Sequence, residues 1–215
     1  MPALPRPVRR LSADDRRQQI LSAARELLEQ HGIEEVSVET AARAAGVSPG
    51  LLFHYFGSQR RFRHAVVDLV AQELLDSLRP DPALSPAEQL HGGIVQFIAF
   101  VSRHPSLYLT VVRHQSGGAR MASLHRTVRI ALAEWIVAGL ASAGAPDAPA
   151  VRMAVAGWLA YMEEVVLLWL DRPAFGAVEL AELCETSAYR LIEVAVADPE
   201  GWARIRAALE LRPSQ

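Results

Sequence analysis

The sequence predicts an all-α protein made of two helical blocks, and three observations support this fold class. Apolar residues recur at i, i+3 and i+4 in most segments of the 215-residue chain. Clusters of glycine, proline and serine separate these periodic segments. No segment predicts a strand, and no internal repeat is present. We expect a flexible basic arm at residues 1–13, a first block at 14–74 and a second block at 75–215.

The first helix begins at a capping box and ends at a glycine. Ser12 and Asp15 have the capping-box spacing, with Asp in place of the usual Glu. Gly32 stands at the position where a left-handed residue stops a helix. Before this helix, three prolines in residues 1–12 predict a flexible arm.

Two short helices and one long helix follow in the first block. Ser37 is a favourable N-cap for a second helix that ends near residue 44. Ser48 caps a third helix at about 48–55, with Pro49 at its first position. Gly57 and Ser58 then separate it from a long helix that runs to about residue 79.

The second and third helices form a corner of defined composition at about 37–56. Ala42 lies where the two helices cross, Gly46 permits the sharp turn, and Leu52 points back into the small core. A helix-turn-helix that reads DNA needs this small–glycine–apolar set. The spacing alone also fits a plain helical hairpin in an all-α protein.

The third helix carries an unusual set of residues on its outer side. If Leu52 and Phe56 face inward, the residues on the outer side or at its edges are Pro49, Gly50, Leu51, His54 and Tyr55. In a major groove, a leucine can contact a thymine methyl group, and a glycine lets the backbone approach base edges. Hydroxyl groups and the neighbouring Arg60 and Arg61 can bind phosphates. This set favours the DNA-reading interpretation.

The charge is divided unevenly along the chain. All 22 basic residues are arginine. Residues 1–64 hold ten arginines against seven acidic residues, whereas residues 65–215 hold twelve against seventeen. The excess of positive charge in residues 1–64 and of negative charge in residues 65–215 indicates that the N-terminal part of the chain binds a polyanion.

Several function classes are not supported by the sequence. No uninterrupted apolar run reaches the roughly 20 residues that cross a bilayer, and the N-terminus lacks a signal-peptide core. The single cysteine, Cys184, fits a cytoplasmic protein and excludes an intramolecular disulfide. The histidines at 91, 104, 114 and 125 are about ten residues apart, and no catalytic motif is present. We expect no enzyme activity, no metal, no cofactor and no membrane.

Residues 14 to about 74 resemble the DNA-binding domain of the tetracycline-repressor family of bacterial transcription regulators. The resemblance rests on the Gly32 stop, the Ser37 cap, "AGVS" at Ala45–Ser48 and "LFHYF" at Leu52–Phe56. Three departures stand out. "AA" replaces the family's "IA" at Ala41–Ala42, Phe53 lacks the usual tyrosine hydroxyl, and Gln59 stands where a lysine commonly binds phosphate.

The resemblance implies a DNA-binding transcriptional regulator whose third helix enters the major groove. The residues it implies for DNA contact are Ser37, Glu39, Arg43, Ser48, Pro49, Gly50, Leu51, His54, Tyr55, Gln59 and Arg60. It further implies a homodimer on a near-palindromic duplex operator, and repression that a small apolar or aromatic effector relieves. A regulator controlled by a protein partner is an alternative, and a helical enzyme is another.

The second block is predicted to contain six helices, near 85–103, 106–115, 119–142, 148–170, 176–196 and 200–211. Its apolar faces are rich in aromatic residues. Such stripes either form ordinary core or line an apolar pocket, for which the resemblance implies a ligand. The candidate pocket residues are Phe97, Phe100, Tyr108, Trp135, Trp158, Tyr161, Met162 and Val165.

Two further features of this block carry expectations. Glu163 and Glu164 interrupt its longest apolar helix. They are either solvated or interhelical charges, or one of them meets a cationic ligand or pairs with Arg152 or His104. The helices near 148–170 and 176–196 are expected to form the dimer seam as a four-helix bundle. The small residues Ala156, Gly157 and Ala160 would allow close approach there. The predicted helix at 176–196 carries a stripe of residues that is expected to be buried, namely Leu180, Leu183, Cys184, Ser187, Leu191 and Val194.

Overall fold

The described residues, 12–113 and 119–209 of a computed structural model, form helices and contain no strand, which confirms the all-α prediction. The predicted arm lies almost entirely outside the described residues. The predicted ends of the helices at 106–115 and 200–211 also lie outside them, in 114–118 and 210–211. The helices are α1 (Ala13–His31), a 3₁₀ turn (Ile33–Glu35), α2 (Val38–Ala44), α3 (Pro49–Phe56), α4 (Gln59–Ser77), α5 (Pro86–Arg103), α6 (Pro105–Arg113), α7 (Ala119–Ser142), α8 (Pro149–Asp171), α9 (Ala177–Val196) and α10 (Pro199–Leu209).

The predicted serine caps of the first three helices are present. The Oγ atom of Ser12 accepts a hydrogen bond from the backbone N–H of Asp15 at 3.1 Å. Ser37 caps α2, and its box partner is Thr40, whose own hydroxyl accepts from the Ser37 N–H at 3.0 Å. Ser48 caps α3, with Pro49 at the first helical position. Each cap satisfies a backbone donor that the helix itself cannot pair.

The chain divides into two compact units between Val70 and Ala71, and α4 contributes residues to both. In the first unit, α1, α2, α3 and the first part of α4 surround a small apolar core. Its fully buried side chains are Ile20, Ala24, Val36, Val38, Ala41, Ala42, Leu52, Phe62 and Val66. The ring of Phe56 packs edge-on against Phe62, with centroids 5.1 Å apart, and the Arg17 guanidinium lies over its other side. These contacts fix α3 on the core with one face left outside.

The second unit is built around α8, which packs against α7 and α9, while α5 and α10 also pack on α9. By length and composition, α8 is the described helix that is apolar enough to cross a membrane. In the structure it serves as a core helix. Its buried residues are Val151, Val155, Trp158, Leu159, Met162, Val166 and Leu167. Burial of such side chains is the main stabilising contribution to a helical unit of this kind.

A hydrogen bond across the core joins α8 to α9 at Cys184. The indole Nε1 of Trp158 donates to the backbone carbonyl of Cys184 at 2.9 Å. The thiol is fully buried, and burial raises the pKa of Cys184 to about 11. Its thiol is therefore protonated and shielded at neutral pH.

We predict that Gly46→Ala destabilises the first unit through its backbone alone. Gly46 has a φ of +65°, and a Cβ atom there would meet nothing within 4 Å. The left-handed conformation should therefore lower the free energy of unfolding by about 1–2 kcal/mol, as measured by urea denaturation. Gly50→Ala is the matched control, because Gly50 lies inside α3 without a positive φ and should gain about 0.5–1 kcal/mol. Equal stability of the two variants would contradict the prediction.

Candidate functional site

The outer face of α3 is the first candidate site. Leu52 and Phe56 are buried beneath the helix, at 0% and 7% exposure. Pro49, Gly50 and His54 are exposed, and Leu51 and Tyr55, one turn apart, are half-buried at one edge. The helical spacing predicted this arrangement, because residues four apart lie on the same face.

Phe53 adds an apolar group that the sequence reasoning treated only as a missing hydroxyl. Its side chain is 46% exposed, which makes it one of the large apolar side chains at the surface. It stands on α3 next to His54, whose ring packs edge-on against Tyr55. The face therefore combines backbone at Gly50 with an imidazole and apolar rings, a set that suits base edges and thymine methyl groups.

The corner that carries this face is closed by small residues and by a glutamine. Ala41 and Ala42 of α2 are 0% and 1% exposed. The Nε2 atom of Gln19 on α1 donates to the backbone carbonyl of Ala45 at 3.0 Å, at the start of the turn. The sequence reasoning missed Gln19, for which the only signal was a polar side chain beside an otherwise apolar helix face.

The predicted contacts on α2 and α4 fall into two groups. Glu39, Arg43 and Arg60 are exposed, so their charged groups are accessible. Ser37 is half-buried, and its hydroxyl already accepts from the Thr40 N–H at 3.1 Å. Ser48 remains exposed while its Oγ accepts from the Leu51 N–H at 3.3 Å.

Gln59 stands apart from the other predicted contacts because its amide is engaged within the protein. Its Oε1 atom accepts from the Val38 N–H at 2.7 Å, and its Nε2 atom donates to the Val36 carbonyl at 3.3 Å. Both partners are backbone groups of buried residues. The family resemblance indicated a lysine-like contact at this position, and no sequence signal pointed to an inward amide.

An apolar cavity of about 90 Å³ in the second unit is the second candidate site. It is partly open to solvent and is lined by α5, α7, α8, α9, α10 and the segment that follows α4. Gln89 is the single amide side chain in a lining that has no charged residue. The lining residues are Leu78, Pro80, Pro86, Gln89, Leu90, Gly93, Ile94, Phe97, Leu132, Trp135, Ile136, Gly139, Leu140, Trp158, Leu159, Met162, Tyr189, Ile192 and Leu209.

The structure brings four of the eight predicted pocket residues to this cavity, namely Phe97, Trp135, Trp158 and Met162. The other four pack elsewhere in the same unit. Phe100 stacks against His104 with ring centroids 4.9 Å apart, and Tyr161 and Val165 lie half-buried against the core. Tyr108 is buried with its ring edge-on to Phe97, 5.7 Å between centroids. The sequence reasoning selected aromatic residues and so missed the aliphatic part of the lining.

Tyr108 is a buried polar group beside charged residues. Within the described part of the chain, its hydroxyl has no hydrogen-bond partner. Burial raises the pKa of Tyr108 far above its usual range, and the nearby Glu163 carboxylate raises it further. The hydroxyl therefore stays neutral at all physiological pH values.

Glu163 is an interhelical charge, one of the alternatives that the sequence left open, and it does not pair with Arg152. Glu163 accepts hydrogen bonds from His125 Nε2 at 2.8 Å and from Arg129 at 3.4 Å, both on α7. Arg152 binds Asp147 and Glu134 instead. The physical reason is distance along α8, since eleven residues at 1.5 Å each separate the two side chains by about 16 Å. Glu164 is exposed.

Among the described residues, no group of three His, Cys, Asp or Glu side chains could hold a metal ion. The charged residues of the second unit instead pair with one another across helices. His91 on α5 pairs with Glu185 on α9 at 2.8 Å, and His125 pairs with Glu163. Of the two candidate sites, one is the outward face of α3 and the other is the apolar cavity of the second unit.

Comparison with known families matches both units. Residues 20–66 match the model described as bacterial regulatory proteins, tetR family. Residues 86–191 match the model described as tetracyclin repressor-like, C-terminal domain. Both matches agree with the resemblance that Ala45–Ser48 and Leu52–Phe56 indicated.

Individual relatives and a solved structure are similar to this chain. The HTH-type transcriptional regulator BetI of Stenotrophomonas maltophilia is 31% identical over 78 residues, 35% of this chain and 40% of that protein. The HTH-type transcriptional regulator EthR of Mycolicibacterium smegmatis is 30% identical over 100 residues, 45% and 46% of the two chains. The matches thus span less than half of these curated relatives. A tetR-family transcriptional regulator from Streptomyces coelicolor has a TM-score of 0.80 at 26% identity, covering 94% of this chain and 92% of that one.

Proposed function

Because the chain belongs to the tetracycline-repressor family of bacterial regulatory proteins, we propose that it is a sequence-specific DNA-binding transcriptional repressor. We assign residues 14–74 to DNA binding and residues 75–215 to effector binding and dimerisation. The regulator has no enzymatic role and acts in the cytoplasm.

The outer face of α3 is the observation that carries this proposal. It presents Gly50, His54 and Phe53 to solvent while Leu52 and Phe56 anchor the helix from below. Contiguous apolar groups at the surface of a soluble protein often mark a site that binds a partner. Arg43 on α2 and Arg60 on α4 are both exposed, and guanidinium groups are well suited to bind phosphates beside a major groove.

Two copies are required for an operator that is nearly palindromic. The outer faces of α8 and α9 support a dimer seam at the predicted helices, with Leu183, Leu191 and Val194 of the predicted stripe exposed. Leu180 and Cys184 of that stripe are instead buried in the core of their own unit. Met153, Leu168 and Val194 are 73%, 58% and 77% exposed, and the small residues Ala156, Gly157 and Ala160 are exposed between them. A dimer that binds such an operator must present its two α3 helices about 34–36 Å apart, one turn of DNA.

The cavity of the second unit is the effector site in this proposal. Its apolar lining favours an apolar or aromatic compound, since a charged group would lose its hydration without gaining a partner. The indole N–H of Trp158 already donates to the Cys184 carbonyl, so the Trp158 ring can make only apolar contacts with the effector. The Gln89 amide nitrogen already donates to the Asp81 and Leu84 carbonyls, so this side chain offers a polar substituent its Oε1 atom.

Repression and release then follow from a population shift. The repressor binds its operator in one arrangement of the dimer, and the effector binds more tightly to another arrangement. By thermodynamic linkage, the effector lowers the affinity for the operator. The decrease is at most the ratio of the effector's affinities for the two arrangements of the dimer. Leu78, which lines the cavity, directly follows the last turn of α4, so α4 is the element that relays effector binding.

Selection of duplexes from a random library tests this function directly. Purified protein should enrich a near-palindromic sequence, and unlabelled nonspecific DNA should compete poorly with it. Salt-sensitive binding without any sequence preference would contradict a specific repressor.

We predict that Gly50→Ala weakens operator binding although it stabilises the helix. A methyl group at this exposed position meets only Ser48 Oγ at 4.0 Å within the protein, but it would stand between the backbone and the base edges. Affinity for the selected operator should fall about tenfold or more in a fluorescence anisotropy titration, as expected for loss of a close base contact. Unchanged affinity would remove Gly50 from the DNA-binding surface.

We predict that Gly157→Leu weakens the dimer and leaves each copy folded. Nothing lies within 4 Å of a Cβ atom at Gly157, so the single chain accommodates a larger side chain. Overpacking of a close helix contact costs about 1–3 kcal/mol, so the dimer dissociation constant should rise by about 5-fold to 150-fold in analytical ultracentrifugation. Ala138→Leu, at an exposed position of α7, is the control and should leave the constant unchanged. Equal dimer dissociation constants for the two variants would show that α8 does not form the dimer seam.

We predict that Gly93→Leu fills the cavity and abolishes binding of small apolar probes. Toluene or indole should raise the melting temperature of the wild-type protein, because a ligand of the native state adds stability by mass action. Gly93 lines the cavity, and neighbouring Gly92 does not, although a Cβ atom meets nothing within 4 Å at either. Gly93→Leu should lose the thermal shift and Gly92→Leu should keep it. A shift retained in Gly93→Leu would place the probe elsewhere.

A further inference from the structure

The amide of Gln59 pairs with the chain that leads into α2. Its Oε1 atom accepts from the Val38 N–H at 2.7 Å, and its Nε2 atom donates to the Val36 carbonyl at 3.3 Å. Arg63, one turn further along α4, donates from Nε to the same carbonyl at 3.0 Å. Val36 and Val38 are 0% and 1% exposed, so the backbone around this pair is largely removed from solvent. We name these three hydrogen bonds the α4 clamp.

The α4 clamp satisfies groups that α2 cannot satisfy by itself. Val38 is the first residue of α2, where a backbone N–H has no acceptor within the helix. The Ser37 hydroxyl is already used for the Thr40 N–H. Without Gln59, the Val38 donor would be left without its partner near a buried side chain, which is unfavourable.

A second glutamine holds the other end of α2. Gln19 of α1 donates from Nε2 to the Ala45 carbonyl, while its Oε1 atom accepts from Arg16 at 2.9 Å. Between these two attachments α2 has seven residues, and α3 begins four residues after Ala45. The orientation of α3 is therefore set from both ends of α2, by one amide from α1 and one from α4.

We propose that Gln59 is a positioning residue that couples α4 to the DNA-reading corner and makes no contact with DNA itself. This inference rests on the proposed repressor function. Both ends of its amide are engaged within the protein, and it carries no charge for a phosphate. Arg60, the next residue, is exposed and takes the phosphate contact. A displacement of α4 is passed to α2, and through it to α3, by the α4 clamp.

Hydrogen exchange of the free protein tests the α4 clamp without DNA. Gln59→Met keeps the length of the side chain and removes both polar atoms of the amide, Oε1 and Nε2. The Val38 N–H should then exchange at least about tenfold faster by NMR, because its acceptor is lost. The Leu51 N–H, capped by Ser48 in α3, is the internal control and should be unchanged. Unchanged exchange at Val38 would overturn the proposal.

A conservative variant guards against misfolding of Gln59→Met. Gln59→Glu keeps an oxygen acceptor for the Val38 N–H and loses the donor to the Val36 carbonyl. Val38 should therefore stay protected in Gln59→Glu. Rapid exchange in this variant would contradict an acceptor role for position 59.

Phosphate scanning of a selected operator separates positioning from contact. Each phosphate is replaced in turn by an uncharged methylphosphonate, and binding is measured for the wild type, Gln59→Met and Arg60→Ala. Gln59→Met should bind about tenfold more weakly everywhere and keep the wild-type pattern. Arg60→Ala should lose its response at one phosphate in each half-site. Loss of a phosphate response in Gln59→Met would show direct contact and overturn the proposal. Failure of the wild type to select any operator would instead defeat the proposed function and leave the exchange test standing.

Discussion

The corner between α2 and α3 depends on two methyl groups. Ala41 and Ala42 of α2 and Leu52 of α3 are fully buried where α2 packs against α1 and α3. A β-branched or longer residue would force the helices apart, because protein interiors have no spare volume. Once the corner is closed, Leu52 and Phe56 must face inward, and the opposite face of α3 is left to solvent. The candidate interface is a direct result of this packing.

Local features of the fold could be predicted from the sequence because they depend on neighbours in the chain. The caps at Ser12, Ser37 and Ser48 and the stop at Gly32 need only three or four residues to form. The bounds of the described helices agree closely with the predicted ones for the same reason. The partner of Glu163 could not be predicted, since it lies on another helix and depends on how α7 and α8 pack.

The candidate sites were predictable to different degrees. The candidate site on α3 lies on a single helix, so helical periodicity is sufficient to predict which of its side chains face outward. The cavity is shaped by five helices, and periodicity assigns a side chain to a core-facing stripe without saying which gap it lines. Phe97 and Phe100 lie on the same apolar stripe, yet the former lines the cavity and the latter stacks on His104. Gln59 shows a third case, in which both ends of one amide find backbone partners that no spacing rule indicates.

Cys184 has a practical consequence for spectroscopy. It is the single thiol of the chain, it is fully buried, and with a pKa of about 11 only about one molecule in ten thousand carries a thiolate at pH 7. The sequence also contains no lysine, so side-chain amines do not compete for electrophilic reagents. A cysteine introduced at the outer face of α3 would therefore react alone. In a dimer, one spin label on each copy would report the separation of the two α3 helices as a measured distance distribution.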